Sequence, residues 1–301
     1  CKALAKIELG NGVTDIGKGA FSSCVNLREI TITSSVVNFD GSAFNGCTSL
    51  KGIKTEGNTK FSSIDGAVYE YRTTRNGDEQ IRNAKLVAYP NGLATESGDY
   101  AVPERITVNG TSYAVDGIGD YAFSGCDKKV VSRILLHSGI ASLGQYAFEE
   151  TEAAVVFADD ATITEISDYV FAKYEGAEIK IPESVTRIGK HAFESAKNVS
   201  VLDIPAAVAE IGEYAFSDMG AEIKWNANCA IKSVSDYGFA GYYGTKLTIP
   251  NTVVGIGRYA FADITADLTL PTGLTEIGEY AFYGYRGKNA PEIPASVLSI
   301  G

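Results

Sequence analysis

The stretch I-K-I-P-E-S-V-T-R-I-G-K-H-A-F, residues 179–193, decides the fold of this chain. Its first three residues alternate apolar, polar and apolar side chains, which predicts a short strand with one buried face. Pro182 follows and ends that strand, because proline has no backbone N–H to donate to a neighbouring strand.

The rest of the stretch predicts a return to the interior. Val185 and Ile188 supply apolar side chains, and Gly189 is typical of a turn. Ala192 and Phe193 then insert a small and a large apolar side chain. A unit this short cannot enclose a core of its own, so it must stack on neighbouring units. We therefore expect successive strands to pair in parallel along one side, about 4.8 Å apart.

The same unit recurs along the whole chain, with the pattern Ile-Gly-x-Tyr-Ala-Phe loosely kept. Apart from one gap after the second copy, the steps between copies are 21 to 25 residues. The copies end at Phe21, Phe44, Phe123, Phe148, Phe171, Phe193, Phe216, Phe239, Phe261 and Phe282. This period predicts a repeat solenoid, and the 32 glycines and 17 tyrosines indicate frequent turns and a repeated aromatic contact.

The run L-R-E-I-T-I-T-S-S-V-V-N-F-D-G-S-A-F-N-G-C-T-S-L, residues 27–50, resembles the BspA-type leucine-rich repeat, L-x-x-I-x-I-P-x-x-V-x-x-I-G-x-x-A-F-x-x-C. The resemblance covers nearly all of the chain outside residues 55–117. It implies a leucine-rich repeat solenoid of about 22–23 residues per repeat, with short parallel strands on one face and irregular turns or short helical segments on the other. It also implies a bacterial cell-surface or secreted protein, some members being adhesins, with a lipid or wall anchor in segments outside this chain.

Three segments of one continuous solenoid are predicted: N-terminal repeats at 1–54, an elaborated repeat at 55–117 and C-terminal repeats at 118–301. In the middle segment, alternating apolar residues flank Asn76-Gly77 and Asn109-Gly110, which predicts two β-hairpins. A small separate lobe is the alternative. Because the chain begins and ends inside repeats, we expect it to be part of a longer solenoid.

Composition excludes several classes of partner. The net charge of −11 disfavours nucleic acid and anionic membranes, which attract basic surfaces. No apolar run approaches the roughly 18 residues of a membrane span, so we expect no membrane insertion by this chain. The sequence G-I-G-R-Y-A-F at residues 255–261 fits a dinucleotide-binding fingerprint. It recurs in most copies and lacks the required long helix, so it belongs to the repeat.

No catalytic, cofactor-binding or metal-binding residues are predicted, and we expect the chain not to be an enzyme. His137, His191 and the pair Asp159-Asp160 lack partners at metal-ligand spacing and are interpreted as solvated or partly packed substitutions.

Cysteines occupy a slot three residues after the repeat Phe at Cys24, Cys47 and Cys126, and Cys1 keeps the same spacing. In other copies the slot holds Tyr174, Ala196, Met219, Tyr242, Ile264 and Tyr285. Such exchange indicates an apolar packing position. Cys229 lies outside the pattern, and its role stays open.

The candidate ligand contacts lie on the outward row of the strands and among the C-terminal tyrosines. They are Leu135, Val156, Lys180, Asp203, Lys224, Tyr243 and Tyr283. The sequence therefore favours a non-enzymatic surface protein that binds an extracellular protein of a host or neighbouring cell. The alternative is a carbohydrate-binding or scaffold module attached to a catalytic domain outside this chain, for which a glycan is the partner.

Overall fold

The computed structural model describes residues 2–301, and the chain divides into two compact units between Ala158 and Asp159. The predicted packing role of Cys1 lies outside the described residues. The predicted segment boundaries at 54/55 and 117/118 separate stretches whose repeats differ in sequence, whereas the two units are compact bodies defined by their internal contacts. The predicted boundaries stay a prediction.

The first unit is built from short strands, with two long ones in the middle. In chain order they are β1 (Lys6–Ile7), β2 (Asp15–Ile16), β3 (Glu29–Ile32), β4 (Asn38–Phe39), β5 (Ile53–Thr55), β6 (Phe61–Ile64), β7 (Ala67–Asn76), β8 (Glu79–Ala88), β9 (Asp99–Ala101), β10 (Arg105–Val108), β11 (Thr111–Ile118), β12 (Arg133–Leu136), β13 (Ser142–Leu143) and β14 (Ala154–Phe157).

The second unit contains only short strands. They are β15 (Glu165–Ile166), β16 (Arg187–Ile188), β17 (Val201–Ile204), β18 (Glu210–Ile211), β19 (Glu222–Trp225), β20 (Ser233–Val234), β21 (Lys246–Thr248), β22 (Gly255–Ile256), β23 (Asp267–Thr269), β24 (Glu276–Ile277) and β25 (Ser299–Ile300).

Parallel pairing between successive repeats confirms the predicted solenoid, but there are two rows of strands rather than one. The first row contains the predicted strands and pairs as β1-β3-β5, β9-β12-β14, β17-β19 and β21-β23. The second row consists of two-residue strands before the repeat Gly and pairs as β2-β4, β15-β16-β18 and β20-β22-β24-β25. The strand predicted at 179–181 is reduced to a single bridge at Ile179. The short helical segments reduce, among the described residues, to one 3-10 turn at Gly41–Phe44.

Both predicted hairpins are present in the first unit. Strands β7 and β8 pair antiparallel from Val68 to Asn76, opposite Glu79, around a two-residue turn. Strands β10 and β11 turn on Asn109 and Gly110, whose φ values of 48° and 78° fit the type I′ turn that such hairpins favour. Strand β11 also pairs in parallel with β13 of the following repeat, which ties the hairpins into the unit.

The core of each unit is a ladder of stacked phenylalanine rings. In the second unit the repeat Phe rings from Phe171 to Phe282 lie 5.2–6.0 Å apart with interplanar angles of at most 27°. Backbone hydrogen bonds join the same neighbouring repeats. For example, the N–H of Phe193 donates to the carbonyl of Ala215 at 2.9 Å. Each Phe is therefore buried by the repeat that follows it, as the stacking argument predicts.

Tyr89 takes the place of the repeat Phe in the elaborated segment. Its N–H donates to the carbonyl of Ala122 at 2.8 Å, and its ring stacks on Phe123 at 5.3 Å. The sequence A-Y-P-N-G at residues 88–92 matches A-F-N-G at 43–46 once the inserted Pro90 is allowed for. The gap in the repeat after Phe44 is thus filled by a tyrosine.

Gly189 is required by the close approach of the neighbouring repeat, whereas the turn itself starts at Lys190. A Cβ atom at Gly189 would lie 2.5 Å from Oδ1 and 2.6 Å from the backbone N of Asp168. That Oδ1 accepts the N–H of Lys190 at 2.8 Å. Equivalent glycines in other repeats, whose Cβ would lie 2.3–2.8 Å from the preceding repeat, are Gly144, Gly212, Gly257 and Gly278.

A second ladder of rings runs beside the Phe ladder, nearer the surface. In the second unit it consists of Tyr169, His191, Tyr214, Tyr237, Tyr259 and Tyr280, stacked at 4.4–4.9 Å with angles of at most 14°. All six residues have φ between 51° and 62°, the left-handed region. This conformation costs a non-glycine residue about 1–2 kcal/mol. The stacked rings and the hydrogen bonds between repeats offset that strain.

We expect Gly189→Ala to lower the free energy of unfolding by about 2 kcal/mol, because the new methyl group forces two repeats apart. The matched control is Gly255→Ala, where the nearest atom to a Cβ, on Ser233, is 3.9 Å away. Alanine there leaves stability unchanged or raises it by about 0.5–1 kcal/mol. Urea unfolding measures both, and equal effects of the two substitutions would contradict the close-approach explanation.

At Tyr237 we expect glycine to be tolerated better than alanine. Both substitutions remove the ring that stacks on Tyr214 at 4.5 Å and on Tyr259 at 4.9 Å. Only alanine keeps the strain at φ 56°, so the Tyr237→Gly protein is more stable than Tyr237→Ala by about 1 kcal/mol. At Ala240, which lacks a positive φ, glycine instead destabilises by about 0.5–1 kcal/mol. Thermal unfolding of the three variants decides whether backbone strain sets this order.

Candidate functional site

The strands of the second unit carry a shallow concavity of about 680 Å³ on their outward side. Three predicted contact residues, Lys180, Asp203 and Lys224, line it together. Asp203 and Lys224 are register partners on β17 and β19, because the parallel pairing places equivalent positions of neighbouring repeats side by side. The alternation of side chains along each strand turns these residues outward while Leu202 and Ile223 turn into the core.

The charges at the outward strand position alternate in sign along the solenoid, while Glu178 and Glu183 also line the concavity. Lys180, Asp203 and Lys224 follow one another in successive repeats and are all exposed. The ammonium of Lys180 lies 3.1 Å from Oδ1 of Asp159, in an ion pair whose side chains are 74% and 96% exposed. A pair this exposed contributes little to stability. These charges therefore remain accessible to a partner.

Trp225 and Asn226 also line the concavity and were missed from the sequence. The indole of Trp225 lies edge-on to Phe239, with centroids 6.3 Å apart, and its Nε1 is buried without a hydrogen-bond partner in the protein. Its position at the end of β19 is where other repeats carry the apolar residue before Pro. The sequence signal was the single tryptophan of the chain, in a slot that is aliphatic in most repeats and holds Phe157 in one.

Leu135 and Val156 form the apolar pair predicted on the strand row of the first unit. They are register partners on β12 and β14. Val156 is 41% exposed and Leu135 is partly buried. On the other side Leu135 is opposite Ala101, whose small side chain adds little apolar surface. The apolar patch is thus two residues wide.

Tyr243 and Tyr283 lie outside the concavity of the second unit. Tyr243 is 50% exposed, and its ring lies over the backbone of Gly220, where a Cβ would be 2.2 Å from Cε2. Tyr283 is 59% exposed and packs edge-on against Tyr259 and Tyr280 of the surface ladder. Both rings are half-exposed, and each packs against the repeat that precedes it.

The two histidines have structural neighbours. His191 is one ring of the surface ladder, between Tyr169 and Tyr214, and its Nδ1 lies 2.9 Å from the carboxylate of Glu194. His137 accepts the N–H of Gly139 at 3.1 Å through Nδ1. Within residues 2–301, no group of three or more His, Cys, Asp and Glu side chains is arranged to hold a metal ion.

The family model of the BspA type leucine rich repeat region matches residues 1–75, 105–222 and 232–301, in six copies. The chain belongs to this family. The matches cover most of both units and include β17 of the concavity, whereas most of β19 lies in the unmatched stretch 223–231. A search of curated proteins gave no significant match.

Solved structures of bacterial leucine-rich repeat proteins have the same fold. A leucine rich cell surface protein from Faecalibacterium prausnitzii A2-165 aligns at 24% identity and a TM-score of 0.56, over 75% of this chain and 61% of that protein. Pneumococcal vaccine antigen PcpA aligns at 20% identity and a TM-score of 0.50, over 88% of this chain and 67% of that one. A leucine-rich repeat protein from Bacteroides ovatus aligns at 22% identity and a TM-score of 0.49, over 77% and 65%. The chain spans less than two thirds of the F. prausnitzii and B. ovatus proteins.

The cysteines of this BspA-type chain fill the predicted packing slot. Cys24, Cys47, Cys126 and Cys229 are all buried, and Sγ of Cys229 lies 3.9 Å from the carbonyl oxygen of Val208 in the preceding repeat. Burial raises the pKa of Cys47 and Cys229 and raises that of Cys126 to about 12. The thiolate is the nucleophile, so these groups are poor nucleophiles in the folded protein.

We expect the four buried cysteines to resist iodoacetamide at about pH 8, because burial blocks access to all of them and also raises the pKa of Cys47, Cys126 and Cys229. The measurement is mass spectrometry of a Cys1→Ser protein before and after unfolding in concentrated guanidinium chloride. All four cysteines are alkylated after unfolding and none before. Rapid labelling of Cys229 in the folded protein would instead indicate a reactive thiol in the turn.

Proposed function

We propose that this chain is a non-enzymatic binding module that contacts an extracellular protein through the outward strand surface of its repeats. The observation that carries the proposal is the concavity of the second unit, where Lys180, Asp203 and Lys224 face outward from a row of strands and the partly buried Trp225 lines the wall. A broad surface of this kind suits multipoint contact with another protein. It supplies charge for orientation and an aromatic side chain for contact area.

The charge pattern supports a protein partner over a polyanion or a membrane. The side chains alternate in sign from repeat to repeat, and the chain as a whole carries a net charge of −11. A row of charges that alternate in sign is complementary to a partner surface whose charges alternate in the opposite order. Such complementarity gives specificity and fixes the register of the partner along the row. Leucine-rich repeat proteins typically bind proteins.

We place the module at the surface of a bacterial cell or in the secreted fraction. The fold neighbour from F. prausnitzii is described as a cell surface protein, and PcpA is a pneumococcal vaccine antigen. Membership of the BspA-type family supports the same location. Within residues 2–301 there is no helix whose length and hydrophobicity would let it span a bilayer.

A second candidate function is carbohydrate binding, alone or as the scaffold of a catalytic domain elsewhere. The half-exposed rings of Tyr243 and Tyr283 favour it, because exposed aromatic rings can stack on the apolar face of a sugar. The two rings are separate, each packed on a different preceding repeat. They offer two isolated contacts rather than a platform.

The proposal predicts that the double substitution Lys180→Glu and Lys224→Glu weakens binding to a protein partner by about tenfold or more, because it replaces alternating charge by a negative row. The partner is selected by screening the chain against arrays of extracellular-matrix proteins and glycans. Its affinity for each variant is then measured by surface plasmon resonance at two salt concentrations.

The matched control is Lys197→Glu, which makes the same charge change at a side chain that is 58% exposed and lies outside the concavity. It leaves the affinity within about twofold. Binding to glycans alone, lost on Tyr243→Ala with Tyr283→Ala, would replace the protein-binding proposal by the carbohydrate one. An equal loss in the control variant would place the contact elsewhere on the chain.

A further inference from the structure

The surface ladder of the first unit lacks rings in the repeats before Tyr121, including that of Tyr89, where the ladder position holds Val87. Tyr121 and Tyr146 stack at 4.7 Å with an interplanar angle of 4°, as in the second unit. The ladder positions of the two N-terminal repeats, two residues before Phe21 and Phe44, hold Gly19 and Ser42. One face of the Tyr121 ring is therefore covered by Tyr146, and the opposite face looks toward positions that carry no ring.

A cavity of about 380 Å³ occupies the place of the missing rings. Gly19 and Ser42 line it, together with Tyr121 and Tyr146. A Cβ at Gly19 would have only the Cβ of Ser22 within 4 Å, at 3.8 Å, so there is open space above this residue.

Lys18 crosses the gap to reach the ladder. Its Nζ donates to Oη of Tyr121 at 2.9 Å, although the two residues are 103 positions apart in the sequence. The same Nζ lies 5.1 Å from the ring centroid of Tyr121 and 6.0 Å from that of Tyr146. An ammonium group has three N–H donors, so further donors remain at the mouth of the cavity.

The rim of the cavity is polar. Ser22 donates to the backbone carbonyl of Asn45 at 3.2 Å, and Nδ2 of Asn45 donates to Ser124 Oγ at 3.0 Å. This arrangement directs the side chain of Asn45 into the rim and leaves its amide oxygen to accept from a ligand. Ser42 is already satisfied, since its Oγ donates to Asp40 and accepts the N–H of Gly19 at 3.2 Å.

We propose that this cavity binds a neutral pyranose ring of a glycan, with the C–H face of the sugar stacked on Tyr121 and its hydroxyls bonded to Lys18, Ser22 and Asn45. A pyranose combines an apolar face with a polar edge, which is the combination that the cavity presents. An aromatic side chain from a partner protein would fill the gap but leave those polar groups without ligand contacts. Glu149 also lines the cavity, and its carboxylate accepts from hydroxyls and repels acidic sugars.

The test uses saturation-transfer NMR on the whole 301-residue chain with the methyl glycosides of glucose, galactose, mannose and N-acetylglucosamine. At least one glycoside receives saturation, strongest at the ring protons of one face. Tyr121→Ala weakens its binding by about tenfold, since the stacked face is lost. The matched control is Tyr237→Ala, which removes a ladder ring with neighbours on both faces in the second unit and leaves binding unchanged.

Lys18→Ala gives a second, independent readout, because Lys18 is exposed and its removal does not touch the core. It weakens glycoside binding by about threefold to tenfold without lowering the melting temperature. If Tyr121→Ala fails to fold, Lys18→Ala and Ser22→Ala decide the question. Four results would overturn the proposal: no saturation of any glycoside, binding unchanged by the cavity substitutions, an equal loss in Tyr237→Ala, or saturation of N-acetyltyrosinamide alone. The last would assign the cavity to an aromatic side chain of a partner.

Discussion

The rise from one repeat to the next is the constraint on which this structure depends. A repeat of some 22 residues has no interior of its own, and its Phe is buried only when the following repeat lies one strand spacing away. Three contacts hold that spacing: the ring stack, the bond from each Phe N–H to the next repeat's carbonyl, and the glycine against the preceding repeat, as at Gly189. Because all three contacts join neighbouring repeats, the loss of any one of them destabilises two repeats.

The strain in the surface ladder follows from the same spacing. At Tyr214 and its counterparts, the backbone must turn left-handed to bring the chain from the second strand row to the Phe. Glycine relieves the strain there, as at Gly19 with φ 62°, but contributes no ring. A tyrosine accepts the strain and gains stacking on both sides. Either glycine or tyrosine can therefore occupy a left-handed ladder position. A tyrosine adds a ring to the surface, whereas a glycine leaves space beside the next ring.

Much of the fold was predictable, because residues that recur at a fixed period determine it. The spacing of the Phe residues, the packing slot of Cys126 and the hairpin at Asn109-Gly110 all follow from local chemistry that repeats or turns in a known way. The second strand row was not predictable in this manner, since two residues such as Arg187 and Ile188 are too few to show alternation. Their pairing depends on the position of the neighbouring repeat.

The candidate sites were predictable only in part, for a related reason. Alternation along the strands placed Lys180 and Lys224 outward, and the structure brings them to one concavity. Trp225 joins them because its repeat carries an indole in a slot that is aliphatic in most other repeats. The cavity beside Tyr121 exists because the ladder positions of two earlier repeats hold Gly19 and Ser42 instead of an aromatic residue. It becomes visible only when those repeats are stacked and Lys18 is seen to cross the gap.

The place of the single tryptophan has a spectroscopic consequence. Trp225 lies in the second unit, beside Phe239, whereas tyrosines occur throughout the chain. Fluorescence excited where only indole absorbs therefore reports on the second unit alone, while tyrosine emission and circular dichroism sample both. Coincident transitions by these probes are the standard sign of a single cooperative event. This chain thus carries a built-in optical label that distinguishes concerted from stepwise melting of its two units.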